Sequence, residues 1–210
     1  IGGKTMDKTY SGYTAETAEN LLLDAGAFFI NYDVEEDDFD SAVAEGKLLG
    51  ATRGGGSFTA TPEIRQIEID GIKGAAKGLS VIDSWEIMMT ANVLEVTKDS
   101  IAQALTASEV DESTNDTYDI IKAKNFIELA DYHDNITYVG KISGTDEPLI
   151  IQIYNAINTT GLTLETEDQS EAVTAMEFQG HYDESDLDSP PFKIFYPKRD
   201  GSENGGGVEG

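Results

Sequence analysis

Three acidic stretches and two histidines are the parts of this sequence whose residue types could hold a cation or move a proton. The stretch DYHDN places Asp131, His133 and Asp134 close together, whereas DESDLDSPP and EEDDFD are runs of carboxylates, the ligands that calcium prefers. Both runs lack the central glycine and the terminal glutamate of an EF-hand loop. A solvated turn therefore explains each stretch better than a weak cation site, and we predict no metal site.

The other residues that could do chemistry do not form a catalytic pattern. The glycines at 54–56 are not followed by the Lys-Ser/Thr pair of a phosphate-binding P-loop. His133 and His181 are far apart in the sequence, and no Ser-His-Asp arrangement is indicated. The absence of cysteine excludes a disulfide framework, a thiolate metal site and a cysteine nucleophile. We therefore predict a protein that is not an enzyme and has no cofactor, with a carboxylate-pair hydrolase as an alternative.

The charge of the chain limits its partners. Its formal net charge of -26 repels nucleic-acid phosphates and anionic lipid head groups, which argues against specific DNA binding. Residues 41–100 are the exception, because they hold 8 acidic and 6 basic side chains, a net charge of -2. No apolar run is long enough to span a membrane, so we expect no membrane association. The nearly balanced block is where a second copy of the chain would meet the least repulsion.

The most regular patterning lies within that block, in EIRQIEIDGIKGAAKGLSVIDSWEIMMTANVLEVT. Alternation predicts a strand at residues 65–70, and the Asp-Gly pair that follows is a hairpin signal. A second strand is predicted at residues 84–96, longer than the usual five to six residues. Its apolar face carries Trp85, Ile87 and Met89, which we expect in the core, and its polar face carries Glu86.

The remaining patterns predict more strands and one helix. Residues 97–108 are the best helix, with Thr97 as its N-cap. Further strands are predicted at residues 27–32, 136–143, 149–157 and 173–182, and the last of these places Phe178 on the apolar face and Glu177 on the polar face. Residues 120–129 fit either two short strands or one helix. We divide the chain into an N-terminal arm (1–20), one β-domain (21–198) and a flexible C-terminal tail (199–210).

Residues 51–108 resemble the major tail tube proteins of long-tailed, non-contractile bacteriophages that infect Gram-positive bacteria. The matching elements are two glycines before a Phe-containing strand, PEIRQIEIDG, then KG, DSWE, the strand end TANVLEVT and the helix end ALTAS. Upstream, LLLDAGAFFINYD is similar to the first strand of that family. The match consists of strand and turn residues in a consistent order, and the family has no active site to carry over.

The resemblance implies a mainly β fold with two packed antiparallel sheets, as a β-sandwich or barrel, and one flanking α-helix. It implies a structural virion protein, assembled in the host cytoplasm, whose homo-hexameric rings stack into the hollow phage tail tube. Each copy would add strands to a shared inner barrel. The partners would be identical rings, the tape measure protein and tail-end proteins, and the genome would pass without specific binding during ejection.

Several assignments follow from the resemblance and from the polar strand faces together. Glu68, Asp70, Glu86 and Glu177 are the acidic side chains that we expect in the lumen, with the outer solvent as the alternative. The arm at residues 1–20 and the loop at residues 35–56 are the expected ring-to-ring contacts. The alternative function is an extracellular, acidic β-sandwich that serves in binding or adhesion, including a calcium-dependent one.

Overall fold

The computed structural model describes residues 12–14, 16–166 and 168–198; most of the predicted arm and all of the predicted tail lie outside these residues. The described chain is mainly β. The strands and helices, in chain order, are β1 (Leu22–Ile30), α1 (Phe39–Ala44), β2 (Thr52–Gln66), β3 (Ser80–Val93), α2 (Lys98–Ala104), β4 (Ser108–Asp111), β5 (Ile120–Ala123), β6 (His133–Ile142), β7 (Leu149–Asn158), β8 (Thr174–Gln179) and β9 (Phe192–Phe195).

Seven strands form one antiparallel sheet in the order β1-β6-β7-β8-β3-β2, with β9 paired to β7, and β4 and β5 form a second, small sheet. Strand β7 changes neighbours along its length, because residues 150–153 pair with β9 whereas Ile157 and Asn158 pair with β8. Asn155 lies between these two parts with a φ of 48°, a left-handed conformation that turns the strand. The sheet curls so far that a Cβ on Gly55 of β2 would lie 3.6 Å from the Cβ of Ala25 of β1.

The core lies inside this curl. On β3 the apolar face that the alternation predicts is fully buried from Ile87 to Val93, and Met89 is among its members. Phe178 of β8 is also fully buried in the same cluster. Trp85 is only partly buried, and its ring lies 5.7 Å from the ring of Phe192 on β9. A period of two therefore identified the buried face correctly.

The described residues form two short α-helices, one at the predicted helix and one at residues 34–46, whose pattern fits a loop or a short helix. The predicted helix is present as α2, and Thr97 caps it by accepting a hydrogen bond of 3.0 Å from the Ser100 amide. The additional helix, α1, begins after Asp38, whose side chain accepts a bond of 2.8 Å from the Ser41 amide. Both helices are short, and residues 126–129 form neither a strand nor an α-helix.

The β2–β3 hairpin departs most from the sequence-based expectation. The strand predicted at residues 65–70 is wrong beyond Gln66, because residues 67–79 form an irregular connection in which Asp70 and Gly71 make a turn. The ladder itself contains a register shift between Glu63 and Ile64. Alternation alone cannot tell a half-buried strand from a segment that no other layer covers.

Candidate functional site

The face of β2, β3 and β8 that points away from the core is the most regular polar surface of the described chain. The register aligns Thr61 with Glu86, and Thr90 with Glu177, so both predicted glutamates of the strands lie on this face. We call it the polar face and define it by residues of three strands: Ser57, Thr59, Thr61, Glu63, Ser84, Glu86, Met88, Thr90, Asn92, Ala175, Glu177 and Gln179.

Hydroxyl groups fix the side chains on the polar face. The Thr90 Oγ1 atom accepts a bond of 2.9 Å from the Ser57 amide and lies 2.8 Å from the Ser57 hydroxyl oxygen. Near the other end, the Ser84 hydroxyl donates to a carboxylate oxygen of Glu63 at 2.8 Å. Such cross-strand pairs stabilise a sheet face that has no second layer to cover it.

The polar face carries three glutamates and no lysine or arginine. The two arginines of β2 lie near its ends, and each is already paired with a carboxylate. Arg53 Nη1 is 2.7 Å from Glu171 Oε2, and Arg65 Nε donates to Asp83 Oδ2 at 2.7 Å. The second pair raises the pKa of Arg65 and lowers the pKa of Asp83, chiefly through that hydrogen bond. The surface therefore offers carboxylates and hydroxyls to solvent and no free cation among its residues.

A buried asparagine positions Glu177. Asn158 is 1% exposed, and its side-chain oxygen accepts a bond of 3.2 Å from the Glu177 amide. Its side-chain nitrogen donates to the Ala104 carbonyl at the end of α2, at 2.9 Å. The Thr159 amide donates to the Glu177 carbonyl at 2.8 Å, which extends the pairing of β7 with β8. One side chain thus joins α2, β7 and β8 behind the polar face.

Glu68 and Asp70 do not lie on the polar face. Both are exposed in the connection of residues 67–79, which we call the hairpin tip. The tip also exposes Ile67, Ile69 and Ile72, at 43%, 50% and 46% of their surface. The sequence signal for Ile67 and Ile69 was their alternation, which predicted a half-buried strand and not an exposed apolar surface.

The three acidic stretches have structural roles within the chain. Asp131 is held by Lys124, whose Nζ lies 2.6 Å from it, so it is engaged in an ion pair beside His133. Asp37 accepts from Lys47 at 2.7 Å, and this bond is the main reason why its pKa is lowered. The Asp183 carboxylate accepts a bond of 2.7 Å from the Ser185 amide in its own turn. Among the described residues, no cluster of three or more His, Asp or Glu side chains could hold a metal ion.

The two histidines, distant in sequence, line one surface cleft together with Tyr132, Tyr182 and Asp134. The Nδ1 atom of His181 is 3.1 Å from the Asn155 carbonyl oxygen. His133 packs edge-on against Phe178, with ring centroids 6.1 Å apart, and burial lowers its pKa while Asp134 opposes that shift. The geometry supports packing roles for both rings.

Neither a scan against protein-family models nor a search of curated proteins found a match to this chain. In the part of the chain that the structure describes, none of the helices is both long and apolar enough to cross a membrane.

Proposed function

We propose that the chain is a structural subunit of the tail tube of a long-tailed, non-contractile bacteriophage. Homo-hexameric rings of the chain would stack into a hollow tube that conducts the genome into the host cell. The sequence resemblance of residues 51–108 suggests this family, and the proposal is supported by a surface with features that a conduit for DNA requires.

The observation that carries the proposal is the polar face. A sheet face with three glutamates, several hydroxyls and no cation would not retain a phosphate backbone that slides past it. Its other side is the core of the subunit, with Ile87, Met89 and Phe178 fully buried. A wall between a packed core and a DNA channel needs this division between two faces.

The proposed subunit has two packed layers that share β7. One layer contains β1, β6, β7 and β9, and the other contains β2, β3, β8 and the end of β7. In the ring, the free edge of β2 would meet a neighbouring copy, so that the second layers join into one inner barrel. Closure of the barrel removes exposed sheet edges, which otherwise invite uncontrolled association.

The hairpin tip is a further surface for contact between copies. It extends beyond the covered part of β2 and β3 and exposes isoleucines within the nearly balanced block of the chain. The loop at residues 35–56, expected to join rings, contains α1, on which Phe39 and Val43 are exposed. We assign ring-to-ring contacts to the tip and to this loop, together with the arm at residues 1–20, of which residues 1–11 and 15 lie outside the described chain.

Electron microscopy of the purified chain tests the proposed function. We expect hollow tubes with a regular axial repeat that lengthen as the protein concentration rises. A chain that remains monomeric at every concentration, and that calcium or a sugar stabilises, would support the extracellular binding module instead. Among the described residues, no cluster of three or more acidic or histidine side chains could bind the calcium that this alternative would use.

Variants of the polar face test its role in the channel. We expect Glu86→Gln with Glu177→Gln to assemble normally and to slow genome ejection, because fewer carboxylates would repel the passing phosphates. A matched control is Glu109→Gln, which removes an exposed acid on β4, away from the polar face. Unchanged ejection kinetics in the double variant, measured on phage that carry it, would contradict the lumen assignment. The double variant Glu68→Gln with Asp70→Asn tests, by the same measurement of ejection kinetics, whether the acids of the hairpin tip line the channel.

A further inference from the structure

The hairpin tip and helix α1 are exposed surfaces at the two ends of one long strand. The tip follows Gln66, the last residue of β2, whereas α1 ends a few residues before Thr52, the first residue of β2. Strand β2 contains 15 residues, so a rise of about 3.3 Å per residue places its ends on the order of 45 Å apart. The tip and α1 therefore lie at opposite ends of the β2–β3 hairpin.

The segment between α1 and β2 holds the helix at its end of the hairpin. The Lys47 amide donates to the Ala42 carbonyl of α1 at 2.9 Å, and the Lys47 carbonyl accepts a bond of 2.8 Å from the Ile30 amide at the end of β1. The Ala51 carbonyl accepts a bond of 2.7 Å from the Leu94 amide, directly after β3. The helix is thus fixed where β1 and β3 end, whereas the tip lies where β3 begins.

The surface at α1, which we call the α1 patch, combines apolar and acidic side chains. It comprises Glu35, Glu36, Phe39, Asp40 and Val43, all of them exposed. Phe39 and Val43 are one helical turn apart and expose 53% and 40% of their surface. The Phe39 ring packs edge-on against Phe29, with ring centroids 5.7 Å apart, so α1 is anchored to the core while much of this ring remains exposed. Among the described residues, no lysine or arginine forms an ion pair with the carboxylates of the patch.

The hairpin tip combines exposed isoleucines with basic side chains. Lys73 and Lys77 are exposed, and neither forms an ion pair with another residue in the described part of the chain. The acids of the tip, Glu68 and Asp70, both precede residues 71–79, which contain the two lysines and no acid. In a chain with a net charge of -26, this half of the tip is a surface that attracts an acidic one.

Backbone hydrogen bonds give the hairpin tip a defined conformation. The Ile67 amide donates to the Leu79 carbonyl at 2.8 Å and closes the loop, and the Ile72 amide donates to the Ile69 carbonyl at 3.2 Å. Gly71 has a φ of 91°, which a glycine adopts at little cost, and so allows the turn between these two isoleucines. A loop that is ordered before binding loses less conformational entropy when a partner covers it.

Charge also indicates which of these surfaces meet when copies stack. If tips met tips at one junction, the next junction would bring two α1 patches together and place carboxylates against carboxylates. A contact between a tip and an α1 patch instead brings lysines to carboxylates at every junction. Because the two surfaces differ and lie at opposite ends of the hairpin, such a contact is head-to-tail and can repeat along one axis.

We propose that the hairpin tip of each copy docks onto the α1 patch of a copy in the next ring. The isoleucines of the tip cover Phe39 and Val43, and Lys73 and Lys77 pair with the carboxylates of the patch. This inference rests on the proposed function, which assigns both surfaces to contacts between rings but not to each other. It makes the stack polar, with every ring in the same direction, and it leaves the free edge of β2 for the contact within a ring.

Charge-reversed rings test the contact. Lys73→Glu with Lys77→Glu gives the tip the sign of the patch, and Glu35→Lys with Glu36→Lys gives the patch the sign of the tip. We expect each double variant to form rings that do not stack, as seen by electron microscopy. A mixture of the two kinds of ring should recover tubes of alternating rings, because every junction then joins opposite charges again.

The matched control reverses two exposed lysines outside the tip. Lys141→Glu with Lys193→Glu changes the net charge by the same amount as the tip variant and should form tubes like the wild type. The inference is overturned if wild-type chains form tubes and either charge-reversed ring also stacks alone, if the mixture stays unstacked, or if the control loses stacking as well. Wild-type chains that form no tubes would instead overturn the proposed function.

Cross-linking gives an independent readout, because the natural chain has no cysteine. Ile69→Cys with Val43→Cys should yield a covalent ladder when its tubes are oxidised. Ile69→Cys with Glu109→Cys, at an exposed residue of β4, is the control and should yield none. Tubes of the first variant that give no ladder would overturn the inference. A covalent dimer of Ile69→Cys alone would also overturn it, because tips would then meet tips.

Discussion

Two parts of the β2–β3 hairpin contain the same kinds of residue and have different surroundings. In the base, Ile87, Met89 and Val93 are fully buried against the rest of the curled sheet. Towards the tip, Ile64 and Ile82 pair across the ladder, and each exposes at least half of its side chain. The difference shows that apolar residues at the base stabilise the fold, whereas those towards the tip remain exposed to solvent.

Phe178→Ala should produce the largest change in stability, because this base-side ring is fully buried. Removal of a buried phenylalanine costs about 3–5 kcal/mol through lost burial and the cavity that remains. Phe126→Ala is the matched control at an exposed ring and should change the free energy of unfolding by no more than about 0.5 kcal/mol. Urea denaturation of both variants measures the difference. Equal losses would contradict the division between buried base and available surface.

Asn158→Ala should have the next largest effect. The substitution leaves the Glu177 amide and the Ala104 carbonyl without their buried partner, which costs about 1–3 kcal/mol. Asn92→Ala is the control, since Asn92 lies half-exposed on the polar face. Urea denaturation at fixed pH compares the two. If Asn158→Ala lowers the free energy of unfolding no more than Asn92→Ala does, the buried asparagine does not stabilise the base.

The hairpin tip should contribute little to stability and much to assembly. We expect Ile67→Ser, Ile69→Ser and Ile72→Ser to change the free energy of unfolding by about 0.5 kcal/mol or less each, because each side chain is already close to half exposed. The triple variant should fold and form rings that no longer stack, as seen by electron microscopy. A triple variant that unfolds would show that the tip belongs to the core after all.

His133 should give the smallest effect, visible as a dependence of stability on pH. Its pKa is lowered in the folded chain, mainly by burial. Below pH of about 6.5, the unfolded chain therefore binds a proton that the folded chain resists. The stabilisation that this pKa difference provides is fully present above that pH. It is lost as the pH falls through the pKa of His133 in the folded chain.

His133→Gln should flatten the change in unfolding free energy between about pH 7.5 and 5.5. The control Tyr132→Phe leaves both histidines in place and should keep the wild-type dependence. Urea midpoints across this range measure the slope. A slope in His133→Gln as steep as in the wild type would assign the pH dependence to other groups.

The sequence predicted the base of the hairpin well, since the period of two on β3 and β8 decides which face is covered. It also predicted the cap of α2, because the hydrogen bond from the Ser100 amide to the Thr97 side chain joins residues only three positions apart. Local patterns of this kind depend only on neighbours in the chain. They therefore identified Ile87, Met89 and Phe178 as inward-facing and Glu86 and Glu177 as outward-facing.

The same patterns could not predict features that depend on distant parts of the chain. Glu68 and Asp70 were placed on a strand because no local signal shows that the strand ends at Gln66. The apolar cavity lined by Phe28, Phe58 and Met89 arises where the first and last strands of the order approach each other, which a sequence pattern does not encode. Residues 34–46 have only a weak helical pattern, and the six residues of α1 are too few for that pattern to distinguish a short helix from a loop.

A cryo-electron microscopy map of the purified, assembled chain is the most direct test of the central claim that the polar face lines a channel. We predict a hollow tube in which Glu86 and Glu177 face the lumen, the buried base lies in the wall and the hairpin tip contacts the next ring. A tube with the polar face on its outer surface would contradict the claim, and so would a chain that does not form tubes.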